Sequence, residues 1–126
     1  ALHFVNSQLS GKSVMTAVKV TELVNNILKI VKYHYKIELD ETSINYERFL
    51  THIRFFALRL LQNERLQDMY DQIFYDQMME KFPESFECTN RIAAFIKEEY
   101  DWEISNDEKI YLTLHIHRIT NRHGVS

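Results

Sequence analysis

Two glycines and one proline are all that the 126 residues contain. Such scarcity argues against most β architectures, whose tight turns need residues free to adopt positive φ or the fixed φ of proline. A chain this short of breakers folds into helices joined by brief polar connections. Its length fits one domain, and with 45% hydrophobic residues it has enough apolar surface to bury a core of its own.

The periodicity points the same way. Between Val14 and Ile37, apolar residues fall at Val20, Leu23, Val24, Ile27, Leu28, Val31 and Tyr35, the three-and-four spacing of one buried helical stripe. After the acidic turn at Asp40 and Glu41, Thr42 or Ser43 can cap a second helix that runs to about Gln62. Its stripe reads Tyr46, Phe49, Leu50, Ile53, Phe56, Ala57 and Leu60. Leu66, Met69, Tyr70, Ile73, Phe74 and Met78 predict a third helix ended by Pro83, with Asp68, Asp71 and Asp76 facing outward as solubilising charges. Ile92, Phe95, Ile96 and Tyr100 predict a fourth, with Ser85, Thr89 or Asn90 as its cap. Ser105 followed by Glu108 is a capping-box pattern opening a fifth helix, which carries Leu112, His115, Ile116 and Ile119 on one side. The expected fold is all-α, a compact five-helix bundle of antiparallel helices spanning 13–126. Residues 1–12 fall outside the pattern and read as a tail and linker.

Charge and composition narrow the function. Fifteen basic against eighteen acidic residues leave a formal charge of −3, which offers no general attraction to a phosphate backbone. Cys88 is alone and cannot form an internal disulfide; with no signal peptide and no apolar run of bilayer length, the expected compartment is the cytoplasm. Glycine-rich phosphate loops, a GxSxG elbow and an HExxH pair are all missing from the sequence. Neither an enzyme nor a cofactor protein is expected.

The six histidines are the unusual resource. His52 has Arg48 four residues before it, Phe55 and Phe56 three and four after, and Arg59 seven after, so it sits where an apolar stripe meets a row of arginines. His115 repeats the arrangement, with Glu108 seven before, Leu112 three before, Arg118 three after and Ile119 four after. A phosphoryl acceptor needs a neutral, accessible imidazole nitrogen, and neighbouring guanidinium groups disfavour the imidazolium while stabilising the phosphoryl charge afterwards. The plainer reading is that each is a half-buried histidine with its tip hydrogen-bonded, and for one histidine taken alone that reading is the commoner. Two such histidines could form one site if their helices are neighbours. His115 and His117 cannot share a metal ion, since residues two apart on a helix point about 200° apart. His117 is expected to face water, His34 to serve packing or helix-end electrostatics, and His123 to belong to the tail.

Two stretches around these histidines carry a resemblance. Tyr46-Glu47-Arg48-Phe49-Leu50-Thr51-His52-Ile53-Arg54-Phe55-Phe56-Ala57 resembles the first histidine motif of the PTS regulation domains, and Asp107-Glu108-Lys109-Ile110-Tyr111-Leu112-Thr113-Leu114-His115-Ile116 resembles the second. Such domains occur in tandem behind a small RNA-binding domain in BglG/SacY-type transcriptional antiterminators, and this chain resembles the second copy. Leu2-His3-Phe4-Val5-Asn6 then resembles the end of the first copy, with His3 at that copy's second histidine. The resemblance implies a dimerising five-helix bundle, phosphorylated at His52 and His115 by the phosphocarrier HPr, by a sugar-specific transporter subunit, or by both. It implies that RNA is bound only through a separate domain, with the membrane never entered. Arg48, Arg54, Arg59, Arg118 and Arg122 are the candidate respondents to the new charge. The rival readings are the same domain in a DNA-binding activator, or a helical dimerisation module whose histidines never accept phosphate.

Overall fold

A computed structural model describes the backbone of residues 2–120 and the side chains of residues 13–120. It contains helices α1 (Leu2–Tyr35), α2 (Ile44–Leu61), α3 (Gln72–Lys81), α4 (Pro83–Tyr100) and α5 (Asn106–Thr120), and no strand among the described residues. The fold is all-α.

With glycine so scarce, the chain leaves its helices through other residues. Lys36, Asn63 and Asp101 take positive φ of 56°, 57° and 52° just past the ends of α1, α2 and α4. Asp101 closes α4 by donating its backbone N–H to the Lys97 carbonyl, the left-handed exit that glycine usually provides. Helix starts are set by hydroxyls and carboxylates. Ser43 caps α2, its Oγ accepting from the Tyr46 N–H at 3.1 Å, and Asp71 caps α3 by accepting from Phe74 at 2.8 Å.

The stripes on α1, α2, α4 and α5 meet in one core. Leu23, Ile27 and Val31 of α1, Phe49 and Ile53 of α2, Ile92 and Ile96 of α4, and Leu112 and Ile116 of α5 are all excluded from solvent. Burying side chains of this size contributes about 1.5–3 kcal/mol each, which offsets the entropy of ordering the chain. Helix α1 packs on α2 and α4, whereas α5 packs on α2, α3 and α4. The seam between α2 and α5 carries both histidine motifs.

Several expectations are corrected. Helix α1 starts at Leu2 rather than Val14, so its backbone is longer than its core-facing stripe; Val14, Met15 and Val18, ahead of that stripe, are exposed. The third helix is shorter than predicted: Leu66, Met69 and Tyr70 lie in the connection before it and are exposed. Hydrogen bonds account for this, because the Met69 and Tyr70 N–H groups donate to the Asp107 carboxylate at 2.7 and 3.2 Å instead of to a helical turn. The buried residue of α3 is Met79, outside the predicted stripe, while Ile73 is exposed. Asp68 and Asp71 are structural rather than merely solubilising, since Asp68 accepts from the Asp107 N–H and Asp71 is the cap. In α4, Pro83 occupies the first turn, where its missing N–H costs nothing, so Ser85 and Thr89 fall inside the helix and not at its cap. Their hydroxyls bond across helices instead, Ser85 to Tyr35 at 3.0 Å and Thr89 to Thr113 at 2.9 Å.

Candidate functional site

His52 and His115 face each other across the α2–α5 seam. Their ring centroids are 5.5 Å apart with planes 23° from parallel. Tyr111, one turn before His115 on the same face of α5, stacks on His52 at 4.6 Å and 15°, and lies 5.8 Å from His115. Phe49 forms the floor, its ring 6.2 Å from that of His115. Above the rings is an open groove whose lining includes Glu47, Arg48, Thr51, Phe55 and Arg59. His115 lies deeper than His52, with 8% of the residue exposed against 16% of the His52 side chain.

Glu108 reaches the same cluster from the first turn of α5. The Ser105 Oγ accepts from its N–H at 3.2 Å, one half of the capping box. The other half is not made, because the carboxylate is directed across the seam to α2. There Oε1 accepts from the Arg59 guanidinium, and Oε2 lies 3.3 Å from Nε2 of His52. Burial alone would raise the Glu108 carboxyl, but contact with His52 and Arg59 outweighs it and holds the group below its usual value. The site therefore contains a carboxylate already ionised in a mostly buried setting.

His115 is shifted the other way from an ordinary histidine. Burial, together with His52, Arg118 and Arg48, pushes it down to about 4. At neutral pH its ring carries no proton charge, and a neutral imidazole has a lone pair to offer. The cluster as a whole presents two imidazoles, an ionised carboxylate and guanidinium groups at the mouth of one groove. Such a constellation suits capture of a small dianionic group on a ring nitrogen.

The arginines divide by position. Arg48 and Arg59 line the groove, and Arg118 acts on His115 through its charge. Arg54 instead lines a separate groove between α1 and α2, with Ala17, Val20 and Leu58. His3 and Arg122 lie outside the residues whose side chains are described, as does His123.

Sequence comparison gives a second line of information, for the family model of the PRD domain matches residues 25–119, including both histidines. The chain belongs to the PRD domain family. Its relatives include the transcription antiterminator LicT of Bacillus subtilis, 39% identical over 122 residues, which cover 97% of this chain and 43% of LicT. The beta-glucoside operon antiterminator of Dickeya chrysanthemi is 34% identical over 94% of the chain and 41% of its own length. Protein GlcT of Staphylococcus aureus is 32% identical over 79% and 36%. The chain thus spans less than half the length of these curated relatives, the first two of which are antiterminators by name.

Two members of the PRD domain's cluster were not singled out as site residues from sequence. Tyr111 and Glu108 lie four and seven residues before His115, one and two turns back on its face, and that spacing was the signal available. His117 departs from expectation: it is half-buried against the Phe82 ring, 4.5 Å between centroids, instead of facing water. His34 packs edge-on to Tyr35 at 5.1 Å. Burial pushes the Cys88 thiol up to about 12, so it is not a nucleophile at neutral pH. Among the described residues no helix is long and apolar enough to cross a membrane.

Proposed function

We propose that this PRD domain is the phosphorylation-responsive part of a longer transcriptional antiterminator, and that His52 and His115 receive its phosphoryl groups from the sugar phosphotransferase system. The donors are the phosphocarrier HPr, a sugar-specific transporter subunit, or both, and the domain works as a homodimer in the cytoplasm. RNA binding belongs to a separate domain of the full protein. In this reading residues 1–12 are the end of a preceding regulatory domain and a linker, with His3 at that domain's own acceptor position.

The observation that supports this most directly is the stacking of His52 and His115, contributed by two helices, in one open groove. Arg48 and Arg59 beside that groove suit an acceptor of a phosphoryl group, although Arg59 also pairs with Glu108. A phosphoryl group brings about −1.5 to −2 charges and three acceptor oxygens. It would compete with Glu108 for Arg59, recruit Arg48, and repel the Glu108 carboxylate, so its effect falls on the α2–α5 seam. Repacking of that seam is the route from mark to dimer, with the charge change doubled about a two-fold axis.

The test is incubation of the domain with enzyme I, HPr and phosphoenolpyruvate, followed by intact-mass measurement, repeated on His52→Ala and His115→Ala. Expected is an acid-labile gain of phosphate that falls when either histidine is removed. Failure with HPr and with a transporter subunit as donor would leave the helical dimerisation module as the function.

A further inference from the structure

We infer that Glu108 is a positioning residue for phosphoryl transfer: it holds the His52 ring in the tautomer protonated at Nε2 and so makes Nδ1 the nitrogen that takes the phosphoryl group. The inference rests on His52 being an acceptor, as proposed above.

Two enclosed atoms carry it. Nε2 of His52 and Oε2 of Glu108 are both buried, neither makes a hydrogen bond to any other group, and they stand 3.3 Å apart. The other carboxylate oxygen is taken by Arg59. An ionised carboxylate only accepts. Were Nε2 unprotonated, two lone pairs would face each other in a site closed to water; with the proton on Nε2, a donor faces an acceptor and both buried atoms are satisfied. Nδ1 is not enclosed in this way and has no hydrogen bond among the described residues, so its lone pair is open to the groove where Arg48 lies.

The same contact assists the reaction. The Nδ1 lone pair forms the new bond to phosphorus, the donor's bond to phosphorus breaks, and that electron pair returns to the donor atom. His52 keeps its proton on Nε2 and gains positive charge, which the Glu108 carboxylate offsets without accepting the proton. A carboxylate that orients an imidazole and stabilises its cationic form plays this part in hydrolytic triads. At His115 the enclosed nitrogen is the opposite one: Nδ1 is buried with no partner, and no carboxylate stands at ion-pair distance among the described residues. The two rings therefore offer different nitrogens to the groove.

The experiment uses the ¹⁵N-labelled domain in three forms, wild type, Glu108→Gln and Glu108→Ala. Long-range ¹H–¹⁵N spectra of His52 are recorded first without any donor, then after phosphorylation through HPr, with intact mass followed over time. In the wild type we expect Nε2 protonated at rest and phosphorus on Nδ1 afterwards. Glu108→Gln leaves a single acceptor oxygen for two donors, Arg59 and the His52 Nε2–H, so it should loosen the tautomer preference and, the charge being lost, slow arrival of phosphate at His52 by roughly tenfold or more. Glu108→Ala removes both acceptor oxygens and should mix the tautomers further. A resting proton on Nδ1, or phosphorus on Nε2 of His52, would overturn the inference while leaving His52 an acceptor. Mass spectra showing no phosphate on His52 from any donor would overturn the functional reading, and the transfer role of Glu108 with it, whatever the resting tautomer.

Discussion

A histidine kept neutral by its surroundings links stability to pH, and His115 is such a residue. Its value is about 4 in the fold against 6.5 for an ordinary histidine, so between those values the unfolded chain binds the proton more readily than the native one. The stabilisation is fully present above pH 6.5 and is lost as pH falls toward 4. Across that window the urea unfolding free energy should drop by about 2–3 kcal/mol, and His115→Gln should flatten the slope. Glu108 adds a lower window. Its carboxyl is held below 4.5, so its contribution is present above that value and disappears as the pH falls further. Separate slopes in wild type and His115→Gln would distinguish the two groups.

At the scale of elements, the 62–71 connection behaves as a strap tied to the start of α5. The Asp107 carboxylate accepts from Met69 and Tyr70, its N–H donates to Asp68, and Arg65 lies 4.0 Å over the Trp102 ring while donating to the Glu103 carbonyl. Asp107→Ala should cost about 1–2 kcal/mol and speed amide exchange at Met69 and Tyr70, leaving the core of α2 and α5 protected. Between α4 and α5 the contact is a buried hydroxyl pair, Thr89 with Thr113. Thr89→Val alone leaves the Thr113 hydroxyl short of its oxygen partner, and should destabilise by about 1–2 kcal/mol in chemical denaturation. The double change to valine removes both polar groups, and should restore most of that loss.

Over the whole molecule, core and candidate site share residues. Phe49 is fully buried and also forms the floor beneath His115. Phe49→Ala should therefore cost about 3–5 kcal/mol in denaturant unfolding. The same change should alter the His115 ring environment by NMR, whereas Val31→Ala, on α1 away from the groove lining, should lower stability with the His115 signals unmoved. A shared foundation of this kind means that rearrangement at the groove is transmitted as packing between α2 and α5, because a close-packed interior deforms as a unit.

What was legible in the sequence is what nearest-neighbour physics along a helix dictates. The stripes of α1, α2, α4 and α5 fix which faces are buried, Ser43 and Ser105 mark two helix starts, and the arginine-edged positions of His52 and His115 follow from residues three, four and seven apart. The start of α3 was not legible, because the hydrogen-bond acceptor that draws Met69 and Tyr70 out of a helix is Asp107, nearly forty residues on. Nor was the role of Glu108, whose local pattern called for a capping box while its carboxylate was captured by His52 and Arg59 of another helix. The sequence by itself determined an all-helical chain with two histidines at stripe edges. Only the tertiary structure decided that they stack, which nitrogens are enclosed and which carboxylate faces them, since those depend on how two helices distant in sequence are brought side by side.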